Sequence, residues 1–140
     1  MSTSSNNSQS EWPSFYPDNI LLPPEDATDT CGTLFRLTIA SPPENVCFQS
    51  THEEQPERYK KFLKKPKLLP NVYATSFFDT YEAAEHMKRV FPSILGNKYI
   101  AKGNVIPMIG KMKKTSGPNH YSVWIRNNTS IHTSFSVKVK

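Results

Sequence analysis

Apolar positions are spread unevenly along this chain, and their spacing changes character several times. Thr33 to Ile39 alternates, with Phe35, Leu37 and Ile39 on one face and Leu34, Arg36 and Thr38 on the other. That period of two predicts a strand, ended by Ser41-Pro42-Pro43. Residues 44–58 are polar apart from anchors such as Val46 and Phe48, and fit either a short helix or a long loop. Tyr59, Phe62 and Leu63 have helical spacing until Pro66, beyond which an exposed basic loop is expected. Asn71 to Phe78 reads as a strand through Val72, Tyr73, Phe77 and Phe78. A helix follows from Asp79 to about Phe91, with Asp79 and Glu82 in a capping-box pattern. It is expected to bury Ala83, Ala84, Met87, Val90 and Phe91, and Pro92 and Gly96 stop it. Tyr99-Ile100-Ala101 is a further strand, and Val105 to Ile109 another, broken by Pro107. The end of the chain has the form of a hairpin. Tyr121, Val123 and Ile125 oppose Ser122, Trp124 and Arg126; a turn lies at Asn127-Asn128-Thr129; and Ile131, Thr133, Phe135, Val137 and Val139 then share a face.

Five or six strands with one or two helices predict an α+β fold. Its sheet, or two smaller sheets, is mostly antiparallel and carries the helices on a face. Composition locates its limits. A chain of 140 residues has room for one hydrophobic core, and at 36% apolar it falls below the usual share. The deficit lies in residues 1–11, a leader with no apolar side chain after Met1, which predicts disorder. Residues 12–31 read as an extended Pro/aromatic arm in which Trp12, Phe15, Tyr16 and Leu21–Leu22 cover an apolar patch on the domain or on a second copy. Residues 32–140 form the single α+β domain.

No run approaches the ~18 apolar residues of a membrane span, and no basic-then-apolar leader opens the chain. A cytoplasmic protein with no membrane partner is expected. Cys31 and Cys47 read as plain thiols or small buried apolar residues. Without Cys-x-x-Cys, and with four scattered histidines, no metal is expected. The formal charge of +5 comes largely from two runs, Lys60, Lys61, Lys64, Lys65 and Lys67, then Lys111, Lys113 and Lys114. Such a basic patch favours acidic or phosphate-rich partners.

P-loop, dinucleotide-turn, His-Glu-x-x-His and nucleophile-elbow motifs are absent. Glu53 and Glu54 sit in a polar stretch and read as a solvated face. Three features stand above background. Arg36 lies mid-strand, an ordinary solvated residue or, in a cleft, a ligand for phosphate or carboxylate. Thr75-Ser76 places hydroxyls in an otherwise apolar strand, where they pair with a neighbouring strand or meet a ligand. Asn119 to Trp124 sets His120 beside Tyr121 and Trp124, which is either a stacking platform for a planar ligand or a sheet edge packed by the arm.

Gly-Thr-Leu-Phe-Arg-Leu at 32–37, Ala-Thr-Ser-Phe-Phe-Asp-Thr-Tyr-Glu-Ala-Ala at 74–84, Ile-Ala-Lys-Gly-Asn at 100–104 and Asn-His-Tyr-Ser-Val-Trp at 119–124 resemble a family of small uncharacterised bacterial proteins. Its members carry Gly-Thr-aromatic-aromatic-Arg-Leu, Ser-Val-Phe-Thr-Asp and Ser-His-His-Thr-Trp-Trp at corresponding places. The resemblance covers roughly residues 17–126 and names no activity. A more distant similarity is to the ADP-ribosyltransferase fold, whose first core strand carries Arg or His and whose next carries a Ser-Thr-Ser-like run. Arg36 matches the first and Ser76 part of the second. The similarity implies NAD gripped by Arg36 and Ser76, with Tyr121 stacked on the nicotinamide. That family's catalytic Glu belongs on a late strand, yet Tyr121 to Lys140 contains no Glu or Asp. His120 stands in only in variants that dispense with the acid, and binding without turnover is the reduced expectation.

Two readings remain side by side. One is a small NAD- or nucleotide-binding domain of ADP-ribosyltransferase type, using Arg36, Ser76 and His120 with Thr75, Tyr121 and Trp124 around the ligand. The other is a non-enzymatic basic interaction module that binds an acidic protein, a nucleic acid or another copy of itself through the arm.

Overall fold

Seven strands, all paired antiparallel, form one sheet in a computed structural model that describes residues 11–137. The expected leader lies outside the described residues except for Glu11. The strands are β1 (Thr28–Asp29), β2 (Gly32–Thr38), β3 (Thr75–Phe78), β4 (Tyr99–Val105), β5 (Gly110–Lys114), β6 (His120–Ile125) and β7 (Phe135–Val137), in the order β1-β5-β6-β3-β2-β4-β7. Among the described residues the helices between them are α1 (Thr51–Glu54), α2 (Tyr81–Val90) and α3 (Pro92–Leu95). Several 3-10 turns complete the chain, the longest at Pro66–Tyr73. The mixed α+β class expected from the patterning is the one observed. No helix among the described residues is long and apolar enough to cross a membrane.

Residues alternate across the sheet, so each face carries its own core. The larger gathers Leu34, Phe48, Phe77, Val105, Val123 and Phe135. The smaller gathers Phe35, Leu37, Ala84 and Ile100, with Phe78, Tyr81 and Met87 packed against them from α2 and β3. β2 therefore buries both faces, unlike a strand with one solvated side. Ile39, which alternation groups with Phe35 and Leu37, is exposed because β2 ends one residue earlier, at Thr38.

β2 pairs with β4 along its whole length but with β3 only at Phe35 and Phe78. The sheet thus opens between its two central strands, and Arg36 fills the opening. Its Nε donates to the Cys47 carbonyl at 2.9 Å and Nη1 to the Ser76 carbonyl at 2.9 Å. Nη2 reaches the Gln49 carbonyl at 3.5 Å and Glu54 Oε2 at 3.2 Å. One buried cation thus takes up the Ser76 carbonyl of β3 together with two carbonyls of the 45–49 turn, and ties the 44–54 segment to the sheet. Glu53 and Glu54 are not a merely solvated pair. Glu53 closes a capping box with Ser50 at the start of α1, and Glu54 neutralises Arg36.

Other expectations shift for local reasons. Asn71–Tyr73 belongs to the 3-10 turns and not to a strand, although Val72 and Tyr73 are buried as the pattern required. The cap of α2 is Thr80, whose Oγ1 accepts from the Ala83 N–H at 3.1 Å, while Asp79 is engaged by Asn119. Only Ala84 of the predicted helix face is fully buried; Val90 and Phe91 are exposed where α2 runs past the sheet. The C-terminal hairpin does not form. A 3-10 turn at Ile131–Ser134 carries the chain across the larger core to pair β7 with β4 instead of β6, and Val139 lies outside the described residues. β6 finds its hairpin partner in β5, a strand whose Lys-Met-Lys-Lys sequence hides its alternation.

The arm is turned more than extended. Tyr16, Ile20 and Ala27 N–H groups close successive turns onto the Pro13, Pro17 and Pro24 carbonyls. It docks on the domain through Glu11, which pairs with Arg126 at 2.8 Å, and Trp12, under the Arg126 guanidinium at 4.9 Å. Cys31 is exposed and Cys47 buried, both as free thiols.

Replacing Arg36 strands three carbonyls and a carboxylate. Arg36→Met is expected to cost about 3–5 kcal/mol in urea unfolding, as removal of one partner of a buried pair does. Glu54→Gln, which keeps an acceptor on a partly exposed side chain, is expected to cost under about 1.5 kcal/mol. Equal losses in the two variants would refute the clamp.

Candidate functional site

Antiparallel register places Ser76 opposite Ser122 and Phe78 opposite His120. Residues two apart on a strand share a face, so these four side chains form one wall. Thr51 at the start of α1, Arg58 and Phe62 from the turn at Arg58–Phe62, and Asn71 from the turn after it stand over this wall. Together with Ser76, His120 and Ser122 they line a cleft of about 210 Å3. A second opening of about 430 Å3 shares Ser116 and His120 with it and continues toward Thr80, Glu82 and His86 of the α2 end. His120 stands where the two meet.

The state of His120 follows from its neighbours. Its Nδ1 lies 3.0 Å from the Thr115 carbonyl oxygen, which can only accept, so Nδ1 carries the proton and Nε2 the lone pair. Thr115 Oγ1 is 3.2 Å from the same nitrogen and 2.7 Å from Ser122 Oγ, linking histidine and serine through one hydroxyl. Phe78 packs edge-on against the ring at 5.5 Å. Burial lowers the His120 pKa below the ordinary histidine value; the Thr115 carbonyl opposes the shift and the positive charge of Arg36 adds to it. The imidazole is therefore neutral near pH 7 and offers Nε2 as an acceptor or base. Ser76, Ser122 and Arg58 add polar side chains to the lining of the cleft, and Phe62 adds an apolar one.

The sequence-selected residues divide sharply. Ser76 and His120 meet in the cleft. Arg36 stands behind it, buried, joined to it through the Ser76 carbonyl and through its charge, and its N–H groups are already directed at protein acceptors. Thr75 points to the opposite face and donates to the Phe48 carbonyl at 3.1 Å. Tyr121 also points away, packing beside the larger core with Lys114 near its ring at 5.8 Å. Trp124 is fully buried, with its indole N–H on the Pro70 carbonyl at 3.1 Å, and presents no ring to a ligand. The stacking platform expected of Asn119–Trp124 is thus split across the sheet. Lys111 and Lys113 pair with Asp29 at 2.7 Å and Asp26 at 2.9 Å, so this basic run is largely neutralised by the arm. Thr115, Ser122 and Arg58 went unselected. Ser122 shares the alternation of His120, while Arg58 and Thr115 lie in loops that carry no periodic signal.

A larger opening, about 560 Å3, lies on the other face between the arm and the Asn127–His132 turn. Several of its polar groups serve the fold: Ser50 and Glu53 cap α1, Thr75 bonds Phe48, and Arg126 holds Glu11, whereas the buried Nδ1 of His132 has no hydrogen-bond partner among the described residues. The His120 cleft, by contrast, combines a neutral imidazole with hydroxyls on a rigid strand pair. Among the described residues no group of three or more His, Cys, Asp or Glu is placed to hold a metal ion. Comparison of the chain with protein-family models, curated proteins and solved structures returns no match.

Because the folded His120 takes up a proton less readily than the unfolded one, stability should fall as pH drops through about 6.5 and be fully present above it. Unfolding free energies measured at pH 7.5 and 5.5 should show a smaller drop in His120→Gln than in the parent. Parallel drops would place the sensitivity elsewhere.

Proposed function

We propose that this chain is a nucleotide-binding domain of ADP-ribosyltransferase type whose cleft accepts the nicotinamide end of NAD and binds it without turnover. The observation that supports this reading most is the meeting of Ser76, His120 and Ser122 on one wall of one cleft. Of the positions that the family resemblance names, Ser76 and the stand-in His120 line the cleft, while Arg36 lies behind it and Tyr121 on the opposite face. A volume of about 210 Å3 corresponds to roughly seven waters at ~30 Å3 each, the size of one planar ring with a small polar substituent. A carboxamide would meet the Ser76 and Ser122 hydroxyls and His120 Nε2, while the ring lies against Phe62. The adjoining opening of about 430 Å3 leaves space for the ribose and the first phosphate.

In this reading Arg36 is a positioning residue. It fixes the β3 backbone at Ser76, and its charge helps keep His120 neutral. Turnover by the family's route uses a carboxylate from a late strand, and the chain from Tyr121 to Lys140 contains none. Binding is the function that the residues in place support.

The midpoint of thermal unfolding should rise with NAD by about 9 °C at ligand near 100 times Kd, where mass action contributes ~2.7 kcal/mol. Ser76→Ala and His120→Gln should each abolish most of the shift while leaving the circular dichroism unchanged. A shift that survives both substitutions, or none with NAD, ADP-ribose or nicotinamide, overturns the proposal.

A further inference from the structure

Six cations, Arg58, Lys60, Lys61, Lys64, Lys65 and Lys67, fall within residues 58–67, and no acid follows until Asp79. Lys60 pairs with Glu57 as an exposed neighbour on the same turn, a contact worth little. Lys61, Lys64, Lys65 and Lys67 are exposed, with no acidic partner among the described residues. In the second basic run Lys111 and Lys113 are paired with Asp29 and Asp26, and the remaining unpaired lysines among the described residues, Lys88, Lys98, Lys102 and Lys114, are scattered singly, so the densest uncompensated charge lies on this one segment. Its position is as informative as its charge. The segment departs from the cleft wall at Arg58 and Phe62 and rejoins it at Asn71 and Val72. The lysines therefore lie between two stretches that line the cleft.

We infer that the Lys60–Lys67 segment is a docking surface for single-stranded nucleic acid, whose terminal nucleotide reaches the His120 cleft. Backbone phosphates lie along the lysines, and the cleft, sized for one ring, takes an end base that is free of stacking. A duplex would hold that base in its stack, which is why the strand is single. An acidic protein would satisfy the lysines but would leave a ring-sized cleft with a neutral imidazole unused. Only the seating of the terminal nucleotide rests on the nucleotide-binding proposal above; the contact between lysines and phosphates does not.

The test is fluorescence anisotropy with a labelled single-stranded DNA of about 12 nucleotides, within the usual site size, from about 50 to about 200 mM KCl. Four phosphate contacts at ~0.7 per phosphate give a log–log salt slope near −3. Replacing Lys61, Lys64, Lys65 and Lys67 with Gln should flatten that slope toward zero and weaken binding at least about tenfold at low salt, with the NAD-induced thermal shift unchanged. His120→Gln should leave the slope intact and weaken affinity alone. A salt-independent isotherm, or undiminished binding by the lysine variant, overturns the inference. So does poly-glutamate of equal length that competes as well as DNA, since the partner is then an acidic protein surface. Lysine-dependent binding in a chain that shows no NAD shift upholds the docking surface and overturns the nucleotide-cleft proposal instead.

Discussion

The guanidinium of Arg36 closes a gap that the backbone leaves open. β2 and β3 touch through a single residue pair, which leaves the Ser76 carbonyl of β3 to a side-chain donor, and the same side chain takes up the Cys47 and Gln49 carbonyls of the neighbouring turn. An unpaired buried carbonyl costs about 1–3 kcal/mol, and the fan of N–H donors on one arginine satisfies several at once. Burial works against the charged guanidinium, and Glu54 offsets that penalty from α1. Packing of the 44–54 segment, the position of Phe48 in the larger core and the separation of the two half-sheets all depend on this contact.

The candidate site inherits its geometry from the same opening. Because β3 is not flanked closely by β2 at Ser76, its backbone is held there by a side chain and by β6. Ser76, His120 and Ser122 then stand in register on a rigid pair of strands, while their covering wall comes from irregular turns. This division, rigid floor and adaptable roof, suits a site that must admit a ligand and still align a few polar atoms.

Much of the fold could be read from periodicity where alternation or helical spacing was strong, as in Gly32–Thr38, Tyr81–Val90 and His120–Ile125. It failed where tertiary context overrode the pattern. Lys-Met-Lys-Lys at 111–114 shows one apolar side chain, yet pairs fully with β6 because its outward lysines meet acids on the arm. Ile131 to Val137 alternates as a hairpin strand would, but Ser130 turns the chain with φ at 49° and delivers it to the far edge. For the site, alternation correctly placed His120 apart from Tyr121, a separation that the idea of a stacking platform ignored. That Arg36 is buried behind the cleft was not legible, because its burial depends on Cys47, Gln49 and Glu54, a contact no local pattern announces.

The short strand β1 has a consequence out of proportion to its two residues. It covers the outer edge of β5, with Thr30 beside it donating to the Ile106 carbonyl at 2.6 Å and accepting from the Gly110 N–H at 3.1 Å. Uncovered strand edges are templates for pairing with other chains. Asp26 and Asp29 add charge at that margin, and Glu11 and Trp12 tie the far end of the arm to Arg126. The sheet therefore ends on this side in a strand of two residues bordered by acidic side chains, a far shorter template for pairing than the five residues of β5 would present.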